Sequence, residues 1–255
     1  MQALELPSID ALVHCAGIVD EDFQADKESA FKMAYSGANE LAQRAVRSGA
    51  KKLIYISSAH VYGSLCGAID EGSAVDPRSD YALAHFLTEQ IFRRNLPEDG
   101  SGFALRPCAV FGDLEDHESF RRWSLIPFAF PRSAIENKKI VIRSTGEQRR
   151  NFVGTRDIAR LVANLIEGNS VSGWRVVNPI GEFDASVLEF AQLCANISRD
   201  ITGTTCTVTR CESSEATDGE DFKFQSRAEQ QIGLQSIASF VRDLMSQIKE
   251  TNANG

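Results

Sequence analysis

The sequence predicts an α/β protein built on a parallel β-sheet with helices on both faces. Short apolar runs, typical of buried strands, alternate with longer segments in which apolar residues recur every three or four positions, as on one face of a helix. Such alternation favours a parallel sheet, since each helix returns the chain to start the next strand. The chain has 255 residues, 43% of them hydrophobic and 24% charged, so it can bury a substantial core.

The first half of the chain shows two clear strand and helix pairs. IDALVHCAG (9–17) is a buried strand that ends in a tight turn, and KKLIYISS (51–58) is the next strand. Helices are expected at KESAFKMAYSGANELAQRAVRSG (27–49), closed by Gly49, and at SDYALAHFLTEQIFRRN (79–95), opened by Ser79 or Asp80 as N-cap.

A third strand, GFALRPCAVFG (102–112), is predicted to leave the sheet at Pro107, because proline has no N–H for a central ladder. The turns CAG, SSAHVYG and RPCAVFG all follow strands of the predicted sheet. Parallel sheets bind ligands at the carboxyl ends of their strands. We therefore expect these three turns to converge on one crevice.

The second half is more mixed and is predicted to form a small α+β lobe. Its elements are a strand, loop and helix over 140–168, strands at GWRVVNP (173–179) and CTVTR (206–210), helices at 185–197 and 237–249, and a polar, acidic loop at 211–224. Trp123 and Trp174 are both expected to pack in this lobe.

Composition excludes several classes of protein. A net charge of −8 argues against a nucleic-acid partner, which would need clustered Lys and Arg. No apolar run approaches the roughly 20 residues of a membrane span, and no basic leader precedes the first apolar run, so we expect a cytoplasmic protein. The six cysteines lack a CxxC pair and a nearby His at ligand spacing, which predicts reduced thiols and no metal site.

Three residues form a candidate proton-transfer set. Tyr81 and His85 are four positions apart on a predicted helix and so share one of its faces, and Ser58 ends the preceding strand. A phenol, with a reference pKa of about 10, acts as a base at neutral pH only when a cation stabilises the phenolate. A serine hydroxyl at the strand end could hold a substrate oxygen in line with that phenol.

The order of motifs resembles one known family. From about residue 10 to about residue 190, the chain carries SSAHVYG, Tyr81 within DPRSDYALAHFLTEQ, LRPCAVFG, RRNFVGTRDIA and WRVVNPIGE. Each motif alone is weak, but the ordered set resembles the extended short-chain dehydrogenases, also called the NAD-dependent epimerase/dehydratase family. The resemblance implies a Rossmann-type fold, NAD or NADP as cofactor, and a nucleotide-sugar substrate.

The resemblance also implies roles for individual residues. Ser58 would orient a sugar oxygen, Tyr81 would be the general base or acid, and His60 and Arg150 would face the substrate, with the Arg150 fork suited to a diphosphate. The positions beside the cofactor would be Cys15, Ala16, Gly17, Tyr81, His85 and Pro107. We expect residues 1–115 to form a partial dinucleotide-binding domain and residues 116–255 a mixed region with the substrate lobe and returning sheet elements. Family members commonly dimerise through the helix that carries the tyrosine, so a homodimer through residues 79–95 is expected.

Several positions depart from the family pattern. The family's lysine is His85 here, and a mostly neutral histidine would lose tenfold to a thousandfold of phenolate stabilisation if nothing else supplied the charge. Ala34 and Ala109 stand where asparagines are usual, and Asn151 stands in place of an aspartate.

A further departure concerns the cofactor turn. The sequence has no Gly-x-x-Gly-x-x-Gly turn, which implies that the family's first strands are missing and that IDALVHCAG is a sheet edge. The sequence thus favours an NAD(P)-dependent epimerase, dehydratase or reductase that uses Tyr81. The alternatives are a weakened or inactive member that serves as a binding or regulatory protein, and a truncated gene product.

Overall fold

The computed structural model describes residues 7–117, 119–168, 171–211, 219 and 221–254. Its strands are β1 (Ala11–His14), β2 (Lys52–Ile56), β3 (Ala68–Ile69), β4 (Ser101–Leu105), β5 (Ala109–Phe111), β6 (Lys139–Ile142), β7 (Arg149–Gly154), β8 (Gly173–Val177), β9 (Phe183–Ser186), β10 (Thr207–Arg210) and β11 (Lys223–Phe224). Its helices are α1 (Asp20–Ala25), α2 (Lys27–Lys32), α3 (Ala38–Arg47), α4 (Asp80–Asn95), α5 (Ile126–Glu136), α6 (Thr155–Glu167), α7 (Val187–Thr202) and α8 (Ile237–Asn254).

The main sheet is parallel and has the order β1-β2-β4-β8. Successive residues of β2 point to opposite faces, as the pleat requires. Leu53 and Tyr55 belong to a core cluster with α3 and α4, whereas Ile54 belongs to a second cluster with Leu161 of α6. The predicted α/β class, with helices on both faces of a parallel sheet, is confirmed. Within the described residues β1 pairs only with β2, so its outer edge is unpaired.

The helix predicted over 27–49 forms, but with one widened turn. α2 and α3 are joined by a π-helical segment, Met33–Gly37, that keeps Ala34 buried and leaves Met33 and Tyr35 exposed. Gly49 closes the helix with a φ of 102°, a backbone conformation that L side chains rarely adopt.

The start of α4 and the exit of β4 both follow the sequence prediction. Of the two candidate caps, Ser79 serves α4, since its Oγ accepts the backbone N–H of Ala82 at 3.1 Å. The chain leaves the main sheet at Pro107, and β5 then joins a different sheet of order β5-β7-β9. The first half therefore places the ends of β2 and β4 beside the first turn of α4.

The second half builds its own core around α5, α7 and α8, with the small parallel pair of β6 and β10 at its side. Trp123 packs against this core, as expected. The expectation for Trp174 was wrong: it lies on β8 in the main sheet, where Gly102 of β4 leaves room for its ring. A Cβ at Gly102 would be 2.4 Å from Cε3 of Trp174, so only glycine fits opposite the indole. Strand β8 thus returns the chain to the first sheet.

Several elements had no clear sequence signal. These are α1, α5, β9 and the pair β3 with β11, each of which is short or carries prolines. In the segment expected to be a loop at 211–224, residues 223–224 form β11, while 212–218 and 220 lie outside the described residues. No described helix is both long and apolar enough to cross a membrane.

Candidate active site

The three turns predicted to converge do meet at the carboxyl edge of the main sheet. The carbonyl of Pro107, after β4, accepts the N–H of Ala59, after β2, at 2.9 Å. Gly17, after β1, lies against His85 on α4: a Cβ added there would be 3.0 Å from Cε1 of His85. A side chain at position 17 would therefore force the histidine to shift. The turns and the first two turns of α4 form one site.

Tyr81 lies between two histidines in this site. Its ring makes edge-to-face contacts with His85, at a centroid distance of 4.4 Å, and with His60, at 5.8 Å. His60 belongs to a 3₁₀ turn, Ala59–Tyr62, that begins at Ser58. The i, i+4 spacing on α4 thus brings the phenol and the imidazole together as predicted.

Ser58 links the turn to the phenol. Its Oγ lies 3.1 Å from Nδ1 of His60 and accepts the backbone N–H of the same residue at 3.2 Å. Burial raises the pKa of Tyr81, while its hydrogen bond with Ser58 and the nearby charge of Arg122 act to lower it. The net shift is upward, so the phenol is protonated at neutral pH.

His85 supplies no positive charge to this site. Burial lowers the pKa of His85 to about 4, and the neighbouring charges of His60, Arg122 and His14 add to that effect. Its Nδ1 lies 2.6 Å from the phenol oxygen of Tyr55, a buried residue of β2. The sequence expectation of a mostly neutral histidine at this position therefore holds at any pH above about 5.

Arg122 is the cation that the sequence prediction missed. It precedes α5, and its charge acts on both Tyr81 and His85. Its Nη1 lies 3.4 Å from a carboxylate oxygen of Glu21 on α1, yet neither Nη1 nor Nε forms a hydrogen bond. Arg122 had no signal in the sequence, because its approach to Tyr81 depends on how the second half folds over the first.

Arg150 lies close enough for its charge to lower the pKa of His60, whose main shift comes from burial. Its Nη1 donates to the carbonyl of Arg149 at 2.7 Å. The charge of Arg150 thus reaches His60, the residue with which it was grouped by resemblance.

Two of the residues expected beside a nicotinamide cofactor line a cavity on the β1 side of the site. Ala16 and Gly17 border a small cavity of about 120 Å³, together with Ala34, Tyr55 and Thr88. Cys15 is exposed and Pro107 is buried. The bare backbone at Gly17, next to the His85 ring, fits a ribose or nicotinamide group.

Asn151 is explained by packing and not by chemistry at the site. Its Nδ2 donates to the carbonyl of Gly181 at 3.1 Å, and its Oδ1 accepts the N–H of the same residue at 2.8 Å. Asn151 is 3% exposed, and a carboxylate could make only the second of these two bonds. The departure from the family's aspartate therefore matches a local backbone pairing.

A buried ion pair holds the strand ends behind the site. Arg106, at the end of β4, donates from Nε and Nη2 to the two oxygens of Glu89 on α4, at 2.9 and 2.7 Å. Ser57, at the end of β2, donates to the same carboxylate at 2.6 Å. Glu89 is 0% exposed, and its bonds to Arg106 and Ser57 fix β2, β4 and α4 relative to one another.

Comparison with known proteins bears on the family and the fold of this chain. Residues 2–178 match the model of the NAD dependent epimerase/dehydratase family. The RMD structure from Pseudomonas aeruginosa, solved with NADPH, superposes with a TM-score of 0.75 at 17% identity, over 96% of this chain and 82% of that one. The Bacillus cereus UDP-glucuronic acid 4-epimerase, solved with UDP-glucuronic acid and NAD, gives 0.71 at 21% identity, over 95% and 76%.

The Helicobacter pylori ADP-L-glycero-D-manno-heptose-6-epimerase gives a TM-score of 0.73 at 21% identity, over 96% of this chain and 74% of that one. At these identities the structural likeness shows a shared fold. The family match covers most of the chain and includes the turns that build the site. The chain belongs to the NAD dependent epimerase/dehydratase family.

Proposed function

We propose that the protein is an NAD(P)-dependent epimerase, dehydratase or reductase that acts on a nucleotide sugar, with Tyr81 as the proton-transfer residue. The observation that carries this proposal is the Tyr81 phenol, held between His60 and His85 and hydrogen-bonded to Ser58 at the edge of the sheet. Ser58 would hold the reacting sugar oxygen in line with the phenol. Family membership and neighbours solved with NAD, NADPH or UDP sugars support it.

The residues that would hold the cofactor are Tyr81, His85, Pro107 and the turn Cys15, Ala16 and Gly17, and the bound nicotinamide would supply hydride transfer. The work of this chain is to place and exchange the proton. Because the pKa of Tyr81 is raised, its phenol rests protonated at neutral pH and would enter the reaction as the proton donor to a sugar oxygen. The charge of Arg122 would favour that transfer by stabilising the phenolate as it forms.

A groove in the second half offers a place for the nucleotide. Its volume is about 1000 Å³, and its lining includes Ile126, Phe130, Val141, Arg143 and Gln148. Apolar side chains suit a base, and a guanidinium suits a phosphate oxygen. We assign the nucleotide of the substrate to this groove, with Arg150 on the diphosphate side.

We also propose that the protein forms a homodimer through α4. Leu83 of α4 is 45% exposed, and Met33 of the packed π-helical segment is 62% exposed. Sedimentation of the Leu83→Glu variant should then show monomer where the parent chain is a dimer. A parent chain that sediments as a monomer would remove this proposal.

The test of the chemistry is substitution of Tyr81. Tyr81→Phe keeps the ring contacts and removes the proton, so turnover of the responsive sugar nucleotide should fall by at least a hundredfold. Tyr35→Phe is the matched control, because it removes the same hydroxyl group from an exposed tyrosine. UDP-glucose and UDP-glucuronic acid with NAD are the first probes, with product formation followed by NMR. Equal turnover in Tyr81→Phe and its parent would exclude the mechanism.

A second candidate is a family member that binds the ligand without turning it over. The neutral state of His85 favours it, since the phenol then receives no charge from α4. Calorimetric binding of a sugar nucleotide with no product in the same mixture would select this candidate.

A further inference from the structure

Four aromatic rings form a stack behind the site. His14, Tyr55 and Phe92 lie within 5.7 Å of one another by ring centroids, and His85 extends the stack at 5.8 Å from Tyr55. Tyr55 is 2% exposed and His85 is 5% exposed, so both rings are buried. The single short polar contact in the stack joins the Tyr55 oxygen to Nδ1 of His85 at 2.6 Å.

The proton in this contact can be assigned. Burial raises the pKa of Tyr55 above its usual value, so its oxygen keeps a hydrogen that must be donated. The hydroxyl of Thr88 is a second hydrogen-bond partner of Tyr55; it donates to the carbonyl of Ala34 at 3.3 Å, and its oxygen can also accept. The length of the contact decides between the two partners: 2.6 Å is typical of an O–H donor and shorter than the usual N–H···O range. The Tyr55 hydroxyl is thus the donor and Nδ1 the acceptor, and the neutral ring carries its proton on Nε2.

The Nε2 atom faces the turn after β1. A Cβ at Gly17 would be 3.4 Å from Nε2 and 3.0 Å from Cε1, so the ring edge lies directly against that turn. The groups whose charges reach His85 are His60, Arg122 and His14, and all three disfavour a positive imidazole. The side chain is left with one N–H donor at the position where the proposed cofactor would pass.

We propose that Tyr55 is a positioning residue, which holds His85 in the neutral Nε2–H form and aims that N–H at the Gly17 turn to bind a ribose hydroxyl of the nicotinamide cofactor. This rests on the proposed function for the identity of the ligand, but not for the state of the imidazole. The His85 imidazole can donate a hydrogen bond, as the family's lysine would at this position, but it does not supply the positive charge of that lysine. The positive charge that acts on Tyr81 comes from Arg122 instead.

The tautomer is tested by ¹⁵N NMR of the imidazole in the full chain, with His85→Gln used to assign the resonance. At pH 7 the expected spectrum has a pyrrole-like Nε2 and a pyridine-like Nδ1. A protonated Nδ1, or an imidazolium, would overturn the proposal. In Tyr55→Phe the expected result is a mixture of the two neutral forms, whereas Tyr35→Phe should match the parent. If Tyr55→Phe fails to fold, the parent spectrum alone decides the tautomer.

Binding tests the ligand. Calorimetric titration with NAD should give the same affinity at pH 5.5 and pH 8, because His85 does not change its charge over that range. Tyr55→Phe should bind NAD about tenfold more weakly than both the parent and Tyr35→Phe. Equal binding by Tyr55→Phe and its parent would overturn the aiming role. No binding by any of them would overturn the proposed function and the ribose contact, with the tautomer still judged by NMR.

Discussion

Asn151→Asp exchanges one side-chain nitrogen for oxygen and should destabilise the fold strongly. The amide of Asn151 pairs with both backbone groups of Gly181, and the aspartate would keep the bond from the N–H while it turns its second oxygen toward the carbonyl. The lost hydrogen bond leaves a buried carbonyl unpaired, which costs about 1–3 kcal/mol. A carboxylate at a position that is 3% exposed adds a desolvation penalty, so we expect a loss of about 3 kcal/mol at pH 8.

The pH dependence of this loss has a definite sign. Desolvation and the facing carbonyl would raise the pKa of the new carboxyl above its unfolded value of about 3.9. A group with a raised pKa in the folded state costs least at low pH and most once pH exceeds the folded pKa. The protonated carboxyl can also donate to the Gly181 carbonyl, so the loss should shrink at pH 5.

The assay is urea denaturation of parent and variant at pH 5 and pH 8, compared as differences so that other titrations cancel. Asn196→Asp is the matched control, because Asn196 is exposed on α7 and should change stability by no more than about 0.5 kcal/mol. A loss in Asn151→Asp equal to that of the control, or one that grows as pH falls, would refute the pairing.

Three other substitutions test the scaffold and the site. Gly181→Ala should abolish cooperative folding, because its Cβ would lie 1.8 Å from a backbone oxygen, and circular dichroism with thermal melting will show it. Glu89→Gln leaves Arg106 buried and uncompensated, so chemical denaturation should show a loss of about 3–5 kcal/mol, against almost none for the exposed Glu98→Gln. The pKa of His85 is lowered to about 4 in the fold, so protonation of this residue does not reduce the free energy of unfolding above about pH 6.5 but reduces it by about 3 kcal/mol toward pH 4. His85→Gln should remove that part of the acid sensitivity.

The departures from the family pattern have different physical meanings. Asn151 satisfies two backbone groups and says nothing about chemistry. At position 85 of α4, a neutral histidine stands in place of a charged lysine, while the positive charge that acts on Tyr81 comes from Arg122, in the segment before α5. The charge available to Tyr81 thus comes from another element, and that is what a comparison of motifs could not detect.

The sequence by itself determined the parallel sheet, its main helices and the exit at Pro107. Local rules suffice there: buried strands of β-branched and apolar residues, helical spacing of apolar positions, the Ser79 cap and the missing N–H of proline. The same spacing placed Tyr81 and His85 on one face, since i and i+4 residues are neighbours on any helix.

Only the tertiary structure decided the partners of those residues. In the sequence, Tyr55 is one more apolar strand position, yet its hydroxyl lies 2.6 Å from Nδ1 of His85, a residue 30 positions away. Arg122 and Glu89 act across elements whose contact no spacing rule predicts. Trp174 was assigned to the wrong lobe because strand β8 returns to the first sheet, and a return of this kind depends on long-range strand pairing. Short-range patterns record which elements form, whereas charges and buried hydrogen bonds depend on which elements meet.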